Sequence, residues 1–266
     1  MSLPVLFIGH GSPINAIEDT PYSTSWQGLG EELRDIYDEE IKSILCISSN
    51  WVTDGTSVTA MDNPRTIHDF SDFPPELSKI TYPAPGNPEL AAEIQQLLAP
   101  DPVTADHSWG LDHATWMVLH RMFPTADIPV VQLSLNRHFN AQEHYKTAQK
   151  LAGLRKKGVL IIGSGNIIHN LSLLDLRHFN QPGPGYTWAE LAHEVILKWL
   201  KNHNLTSLLD DSHYPQPIRT GQPSPEHFWP LLYVLAVSKR KEYMEIFNDE
   251  IVGKSVSMTS LIIGMD

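Results

Sequence analysis

The sequence predicts an α/β protein: a single domain, residues 1–266, with a central mixed or parallel sheet flanked by helices. Short apolar runs alternate along most of the chain with amphipathic stretches that have helical spacing. No internal repeat or low-complexity linker divides the 266 residues, and a chain of this length is sufficient to enclose a large core.

Elements in the first half of the chain follow from apolar spacing and turn residues. The spacing of Leu29, Leu33 and Ile36 predicts a helix, and Pro88 is typical of a helix start. Between residues 62 and 88, proline, aromatic and turn residues predict a long loop, a frequent carrier of function. The predicted strands are residues 4–8, 41–48, 57–61 and 103–105, and the predicted helices are residues 27–40, residues 88–98 and a stretch ending near Met122.

The second half continues the same alternation. Its clearest strand is the apolar run 159–163, which follows Gly158, and its clearest helix is the amphipathic stretch 187–203. A polar, proline-containing loop is predicted over residues 210–226. The other predicted strands are residues 128–134 and 256–263, and the other predicted helices are residues 140–156 and 228–237.

Composition disfavours some classes of partner and indicates a compartment. Acidic residues outnumber basic ones, 31 to 19, and a net charge of −12 disfavours nucleic acid and anionic membranes as partners. Cys46 is the single cysteine, so no internal disulfide can form. There is neither a signal-peptide pattern nor an apolar run of membrane-spanning length, so a cytoplasmic location is expected. A homo-oligomer remains open, although the apolar face of 187–203 more readily packs on the sheet.

Histidine is the unusual residue here, with 13 copies. His10 and His169 each follow an apolar strand and a glycine-containing turn, whereas His113 and His227 stand at predicted helix starts. Strand ends at one edge of a sheet can bring such residues together, and imidazole suits iron(II) or zinc. HExxH spacing, paired cysteines, a phosphate-binding loop and the Gly-x-Ser-x-Gly pattern are all absent. Taken singly, each histidine is better explained as a hydrogen-bonded loop or cap residue than as a metal ligand.

Six motifs occur in one order along the chain. They are Gly9-His10-Gly11-Ser12-Pro13, Thr66-Ile67-His68-Asp69-Phe70, Tyr82-Pro83-Ala84-Pro85-Gly86, Trp109-Gly110-Leu111-Asp112-His113, Ser164-Gly165-Asn166-Ile167-Ile168-His169-Asn170-Leu171 and Pro225-Glu226-His227-Phe228. Through these motifs nearly the whole chain resembles the class III extradiol ring-cleavage dioxygenases of the LigB superfamily, in their DOPA 4,5-dioxygenase-like branch.

The resemblance implies a non-haem iron(II) enzyme that opens the ring of a small catechol with dioxygen. By motif, His10 and His227 would bind the metal. His169 would be the acid/base histidine, and it would also coordinate where zinc replaces iron. His113 would contact the substrate or bound oxygen. The loop that contains His68, Phe70, Phe73 and Tyr82 would wall the substrate pocket, although the aromatic residues could equally be core packing.

One position departs from the family pattern. Where the family has a ligand histidine before the tryptophan that follows the second strand, this chain has Asn50, followed by Trp51. An asparagine amide oxygen is a neutral ligand that binds iron(II) or zinc more weakly than imidazole does. A catalytically silent, Memo-like relative that acts through metal or protein binding is therefore the alternative. A zinc hydrolase using the same histidines is a third interpretation.

Overall fold

An eight-stranded mixed sheet forms the centre of the molecule in the computed structural model, which describes residues 2–37 and 39–265. Its eight strands are β1 (Val5–Gly9), β2 (Ser43–Thr53), β3 (Thr56–Thr59), β4 (Val103–Asp106), β5 (Val130–Asn136), β6 (Val159–Gly165), β7 (Met244–Phe247) and β10 (Ser260–Ile263). Strands β8 (Ile251–Val252) and β9 (Val256–Ser257) form a separate two-stranded sheet. The helices are α1 (Pro21–Tyr37), α2 (Pro88–Leu98), α3 (His113–Met122), α4 (Ala141–Gln149), α5 (Thr187–Lys201), α6 (Leu205–Leu209), α7 (Gln216–Gly221) and α8 (Trp229–Val237).

The order of strands across the sheet is β4-β3-β5-β2-β6-β1-β10-β7. Its middle is parallel, because β2 pairs in parallel with both β5 and β6, and β6 pairs in parallel with β1. The pairs β3–β5, β1–β10 and β10–β7 are antiparallel. The predicted α/β fold with a central sheet flanked by helices is confirmed, and the sheet is mixed.

Side chains of β1 show how the sheet separates two apolar layers. Val5 and Phe7 pack into one cluster with α2, α4, α5 and α8, whereas Leu6 and Ile8 pack into the other with α1 and α3. This alternation is the period-2 pattern of a strand covered on both faces. All four side chains are fully buried.

Most predicted elements are present, and the differences have physical causes. Helix α2 has the predicted bounds, because the Asn87 side chain caps it and Pro88 occupies its first turn. Helix α1 begins six residues before the predicted start at residue 27, since Tyr22 and Trp26 extend its buried face. Asp38, within the predicted helix 27–40, lies outside the described residues, as do Met1 and Asp266 of the predicted domain.

Several elements were not predicted, were predicted too short or were predicted as one. Helix α6 and strand β8 were not predicted, and the predicted strand 256–263 is divided into β9 and β10. Strand β2 continues to Thr53, past a change of register between Ile47 and Val52, so Asn50 lies within it. Helix α7 occupies part of the predicted loop 210–226. Strand β7 forms one edge of the sheet and is only partly buried, so its sequence lacks the apolar run of a central strand. Over the part of the chain that the structure describes, no helix combines the length and apolarity needed to cross a bilayer.

Arg155 connects the N-terminal segment at Leu3 with the segment that contains Val237 and Glu242. Its side chain is 1% exposed and donates to both carboxylate oxygens of Glu242 at 2.8 and 3.0 Å. It also donates to the backbone oxygens of Leu3 and Val237. Replacing Arg155 with methionine should lower the free energy of unfolding by about 3 kcal/mol, since four acceptors lose their donor. Urea denaturation of the full chain measures this effect.

The matched control for Arg155→Met is Arg137→Met. Arg137 pairs with Asp54, but both side chains are more than half exposed. An exposed ion pair contributes less than about 1 kcal/mol. Equal urea midpoints for the two variants would contradict a structural role for the buried pair.

Candidate active site

Three neighbouring parallel strands bring the candidate residues to one edge of the sheet. His10 follows β1, His169 lies four residues after β6, and Asn50 lies near the end of β2. The backbone N–H of His10 donates to Gly165 O at 3.2 Å, which holds the ends of β1 and β6 together. Residues from distant parts of the sequence therefore meet where the carboxyl ends of the strands open into loops.

His227 reaches this edge because Gly165 has no side chain. A Cβ atom at Gly165 would lie 2.2 Å from the backbone oxygen of His227, too close for any other residue. The N–H of Asn166 donates to that same oxygen at 2.9 Å. The backbone just before α8 thus contacts the end of β6. Gly165 is required there because a side chain would separate the two segments.

His169 is positioned by elements that come later in the chain. Its N–H donates to Gly221 O at 2.7 Å, at the end of α7, and it forms an isolated antiparallel bridge with Val256. Helix α7 and strand β9 therefore fix the backbone of a residue whose position was predicted from β6 alone.

The four predicted histidines form one cluster. The ring centroids of His169 and His227 are 3.5 Å apart and the rings are nearly parallel, at 8°. The His10 ring lies 5.7 Å from that of His227 and 6.0 Å from that of His113. The structure thus brings together His10, His113, His169 and His227, which are spread over more than 200 residues of sequence.

The histidine cluster lies in a cavity of about 920 Å³. This volume is near the upper end of the usual range for small-molecule sites, and it is ample for a single aromatic ring. Asn50 and Phe70 also line it, as predicted for site residues. The remaining apolar wall is contributed by residues of several loops and strands: Val52, Phe73, Leu171, Leu174, Phe179, Val252 and Val256.

A hydrogen-bond chain fixes the tautomer of His10. The Ser164 hydroxyl donates its proton to Ala114 O at 2.6 Å, so its oxygen must accept the Nδ1–H of His10 at 3.2 Å. The lone pair of His10 is therefore on Nε2. A partner that fixes one ring nitrogen and frees the other is a regular feature of metal-binding histidines.

The ring of His227 has a nitrogen without a partner. Its Nδ1 atom is buried and makes no hydrogen bond among the described residues. An orphaned buried nitrogen in a polar cluster is unusual and calls for an explanation such as a bound ion. Burial, together with the neighbouring His169, holds the pKa of His227 well below its usual range. Burial and His113 do the same for the pKa of His10.

These observations fit a metal that takes imidazole nitrogens. Both His10 and His227 are neutral at physiological pH, the protonation state that a metal requires. Within residues 2–37 and 39–265, no group of three or more His, Cys, Asp or Glu side chains already forms a metal-binding arrangement. The structure therefore provides two suitable imidazole donors, with His169 stacked beside them, and not a complete protein ligand set.

His169 is neutral for the same physical reason. Burial, with a smaller contribution from His113, lowers the pKa of His169 to about 4. At neutral pH its ring can accept a proton at one nitrogen and offers a lone pair to a neighbouring group.

Asp69 is a site residue that the sequence reasoning did not select. Its Oδ1 accepts the backbone N–H and the Nδ1–H of His113, both at 2.9 Å, and its Oδ2 accepts from Asn50 Nδ2 at 3.0 Å. Burial alone would raise the pKa of Asp69, but the hydrogen bonds from His113 and Asn50 hold it at about 2. The one feature of the sequence that could have pointed to Asp69 is its place beside His68 in the motif at residues 66–70.

Two predicted substrate contacts need correction. The Nε2–H of His68 donates to Ile80 O at 2.9 Å and its ring packs against those of Phe70 and Trp116, and His68 does not line the cavity. Tyr82 is 1% exposed and its hydroxyl donates to Phe123 O at 3.0 Å in the core. His68 therefore contacts the cavity wall only through Phe70, and Tyr82 belongs to the core.

Comparison with known proteins identifies the class that this fold and site define. Residues 4–261 match the family described as the catalytic LigB subunit of aromatic ring-opening dioxygenase, and the chain belongs to this family. The prediction of an extradiol ring-cleaving dioxygenase, an oxidoreductase, is thereby confirmed.

Individual relatives extend over almost the whole chain. The 4,5-DOPA dioxygenase extradiol of Escherichia coli K12 is 42% identical, over 98% of this chain and 95% of its own length. The 4,5-DOPA dioxygenase extradiol of Beta vulgaris is 36% identical, over 96% and 94%. A crystal structure of an uncharacterised Escherichia coli K12 protein superposes with a TM-score of 0.81 at 37% identity, over 98% of this chain and all of that chain.

Proposed function

We propose that this protein is an iron(II)-dependent extradiol dioxygenase that opens the ring of a small DOPA-like catechol with dioxygen. The observation that carries the proposal is the cluster of four histidines in an apolar cavity at the ends of β1, β2 and β6. The names of the two relatives support the choice of substrate.

The metal would be held by His10 and His227, with His169 available as a further nitrogen ligand. Iron(II) would supply the redox chemistry and gather catechol and dioxygen in one coordination sphere, and zinc could occupy the same ligands. For His10, the hydrogen bond from its Nδ1–H to Ser164 keeps the ring proton on Nδ1, so the lone pair on Nε2 would face the metal.

His169 would act on the catechol hydroxyl. Its neutral ring can take the hydroxyl proton at a ring nitrogen and return it to the product, a role that needs no charge before substrate binds. Stacking against His227 and the backbone bond to Gly221 keep the ring in place. His113, fixed by Asp69, would contact the substrate or dioxygen from the other side of the cavity.

The cavity wall would orient the ring and exclude water. Phe70 lies edge-on to His113, with ring centroids 5.7 Å apart, and edge-on to Phe73 at 5.6 Å. Such aromatic edges favour a flat apolar ligand over solvent. A dry site also strengthens the hydrogen bonds made to the bound catechol.

Oxygen uptake tests the proposal. The full chain, reconstituted anaerobically with iron(II), is mixed with DOPA, caffeate or protocatechuate, and dioxygen consumption is followed with an electrode. We expect uptake to depend on the catechol and to stop when a chelator removes iron. Absence of uptake with every catechol, from protein shown to contain stoichiometric iron, would contradict the proposal.

A silent, interaction-only protein is the second candidate raised by Asn50. The family and the named relatives do not favour it. The four predicted histidines also line one cavity, which supports an enzyme over an interaction-only protein.

A further inference from the structure

Both ends of the Asn50 amide are engaged. Its Nδ2 donates to Asp69 Oδ2 at 3.0 Å, while its Oδ1 accepts the Ser49 hydroxyl at 3.0 Å. Nδ2 also lies 3.1 Å from His113 Nδ1, but both atoms are donors to Asp69, so Asn50 acts on His113 through that carboxylate. Rotating the amide by half a turn would set Oδ1 against the Asp69 carboxylate, and two acceptors would then face each other. Asp69 therefore determines which end of the amide faces it.

The same carboxylate determines the position of the His113 ring. Asp69 Oδ1 receives the backbone N–H and the Nδ1–H of His113, so this one carboxylate holds both the backbone and the ring of the residue. The side chain of Asp69 is only 21% exposed, and that of His113 11%. A hydrogen-bonded pair with little solvent contact fixes geometry more firmly than an exposed pair does.

We propose that Asn50 is a positioning residue rather than a metal ligand, and that with Asp69 it clamps the His113 imidazole beside His10 and His227. We call Asn50, Asp69 and His113 the His113 clamp. The catalytic consequence rests on the proposed function, but the clamp and the ligand assignment do not. In this chain the amide provides a hydrogen-bond donor where the family usually has a ligand histidine.

The arrangement of charges supports a donor at position 50. Turning Oδ1 toward a cation would withdraw Nδ2 from Asp69 and leave that carboxylate oxygen without its amide partner. A neutral amide oxygen would bind iron(II) or zinc only weakly at a site that suits imidazole. The hydrogen bond to the partly buried carboxylate of Asp69 contributes more free energy than that weak metal bond would. The metal would then be bound by His10 and His227, with His169 as the remaining nitrogen donor.

Two substitutions separate the two roles. Asn50→Ala removes the amide, whereas Asn50→Asp supplies a stronger metal ligand but faces Asp69 with a second carboxylate. We expect zinc and iron(II) affinities, measured by competition with a chromophoric chelator, to stay within threefold of native for both variants. Turnover of iron-loaded protein should fall by tenfold or more, and further in Asn50→Asp than in Asn50→Ala.

A second readout follows the clamp itself in metal-free full-length protein. The Nδ1–H of His113 should give a slowly exchanging ring signal in proton–nitrogen NMR spectra, assigned by its loss in His113→Gln. Solvent exchange of this proton should accelerate at least tenfold in Asn50→Ala and in Asp69→Asn. Asn202→Ala, at an exposed helix end, is the matched control and should change neither readout.

Each result decides for or against the clamp. Metal affinity that falls tenfold or more in Asn50→Ala and returns in Asn50→Asp would identify Asn50 as a ligand and overturn the proposal. Unchanged exchange of the His113 proton in both clamp variants would overturn it as well. Because neither readout depends on ring cleavage, failure of the proposed function would be recognised separately, by absent oxygen uptake in the native protein.

Discussion

Replacing His10 or His227 with alanine is expected to abolish retention of iron(II) and zinc. Each change removes an imidazole whose free nitrogen has no competing hydrogen bond in the proposed site. Loss of a mere hydrogen-bond partner of a ligand commonly costs 10–100-fold in metal affinity, so loss of the ligand should cost at least about 100-fold. Elemental analysis after gel filtration, with chelator competition, measures the change.

The control for this prediction is His138→Ala. The side chain of His138 is 69% exposed, its Nε2 pairs with Asp54 at the surface, and it is not among the residues that line the cavity. This variant removes one histidine and should retain native metal content. If both His10→Ala and His227→Ala kept their full iron or zinc content, the site assignment would be wrong.

Replacing His169 with alanine is expected to lower the turnover number of the iron-loaded protein by about 10²–10⁴-fold, the usual contribution of a positioned acid/base group. The backbone N–H of residue 169 still donates to Gly221 O in this variant, so the local fold should persist. Stopped-flow turnover with DOPA measures the effect. Added imidazole should restore part of the activity, because the removed side chain leaves space in the cavity.

The metal content of His169→Ala distinguishes its two proposed roles. Native iron content together with low turnover identifies an acid/base group, whereas lost iron identifies a ligand. Turnover within threefold of native would show that His169 has neither role.

The features that could be predicted from sequence are those determined by residues close to them along the chain. His10 directly follows a five-residue buried strand, so its place at the sheet edge follows from the apolar run and the two glycines beside it. Helix α2 was similarly defined by Asn87, Pro88 and apolar spacing. Such features depend on neighbours within a few residues, which a sequence displays directly.

The parts that could not be predicted depend on tertiary contacts. Asp69 contacts His113, 44 residues later in the sequence, and Asn50, 19 residues earlier. Phe70 and Tyr82 belong to motifs of the same loop, yet the Phe70 ring lines the cavity and the Tyr82 ring is buried in the core. No local pattern states which way a side chain in an irregular loop points, because packing against distant elements decides it.

Incorporation of labelled dioxygen tests the central claim most directly. Iron(II)-loaded native protein is incubated with DOPA under ¹⁸O₂, and the product is analysed by mass spectrometry. A ring-opening dioxygenase should place both labelled atoms in a single ring-opened product, before exchange with water, and should consume one dioxygen per catechol. A product without label, or unchanged DOPA with fully iron-loaded protein, would contradict the assignment of this site to ring cleavage.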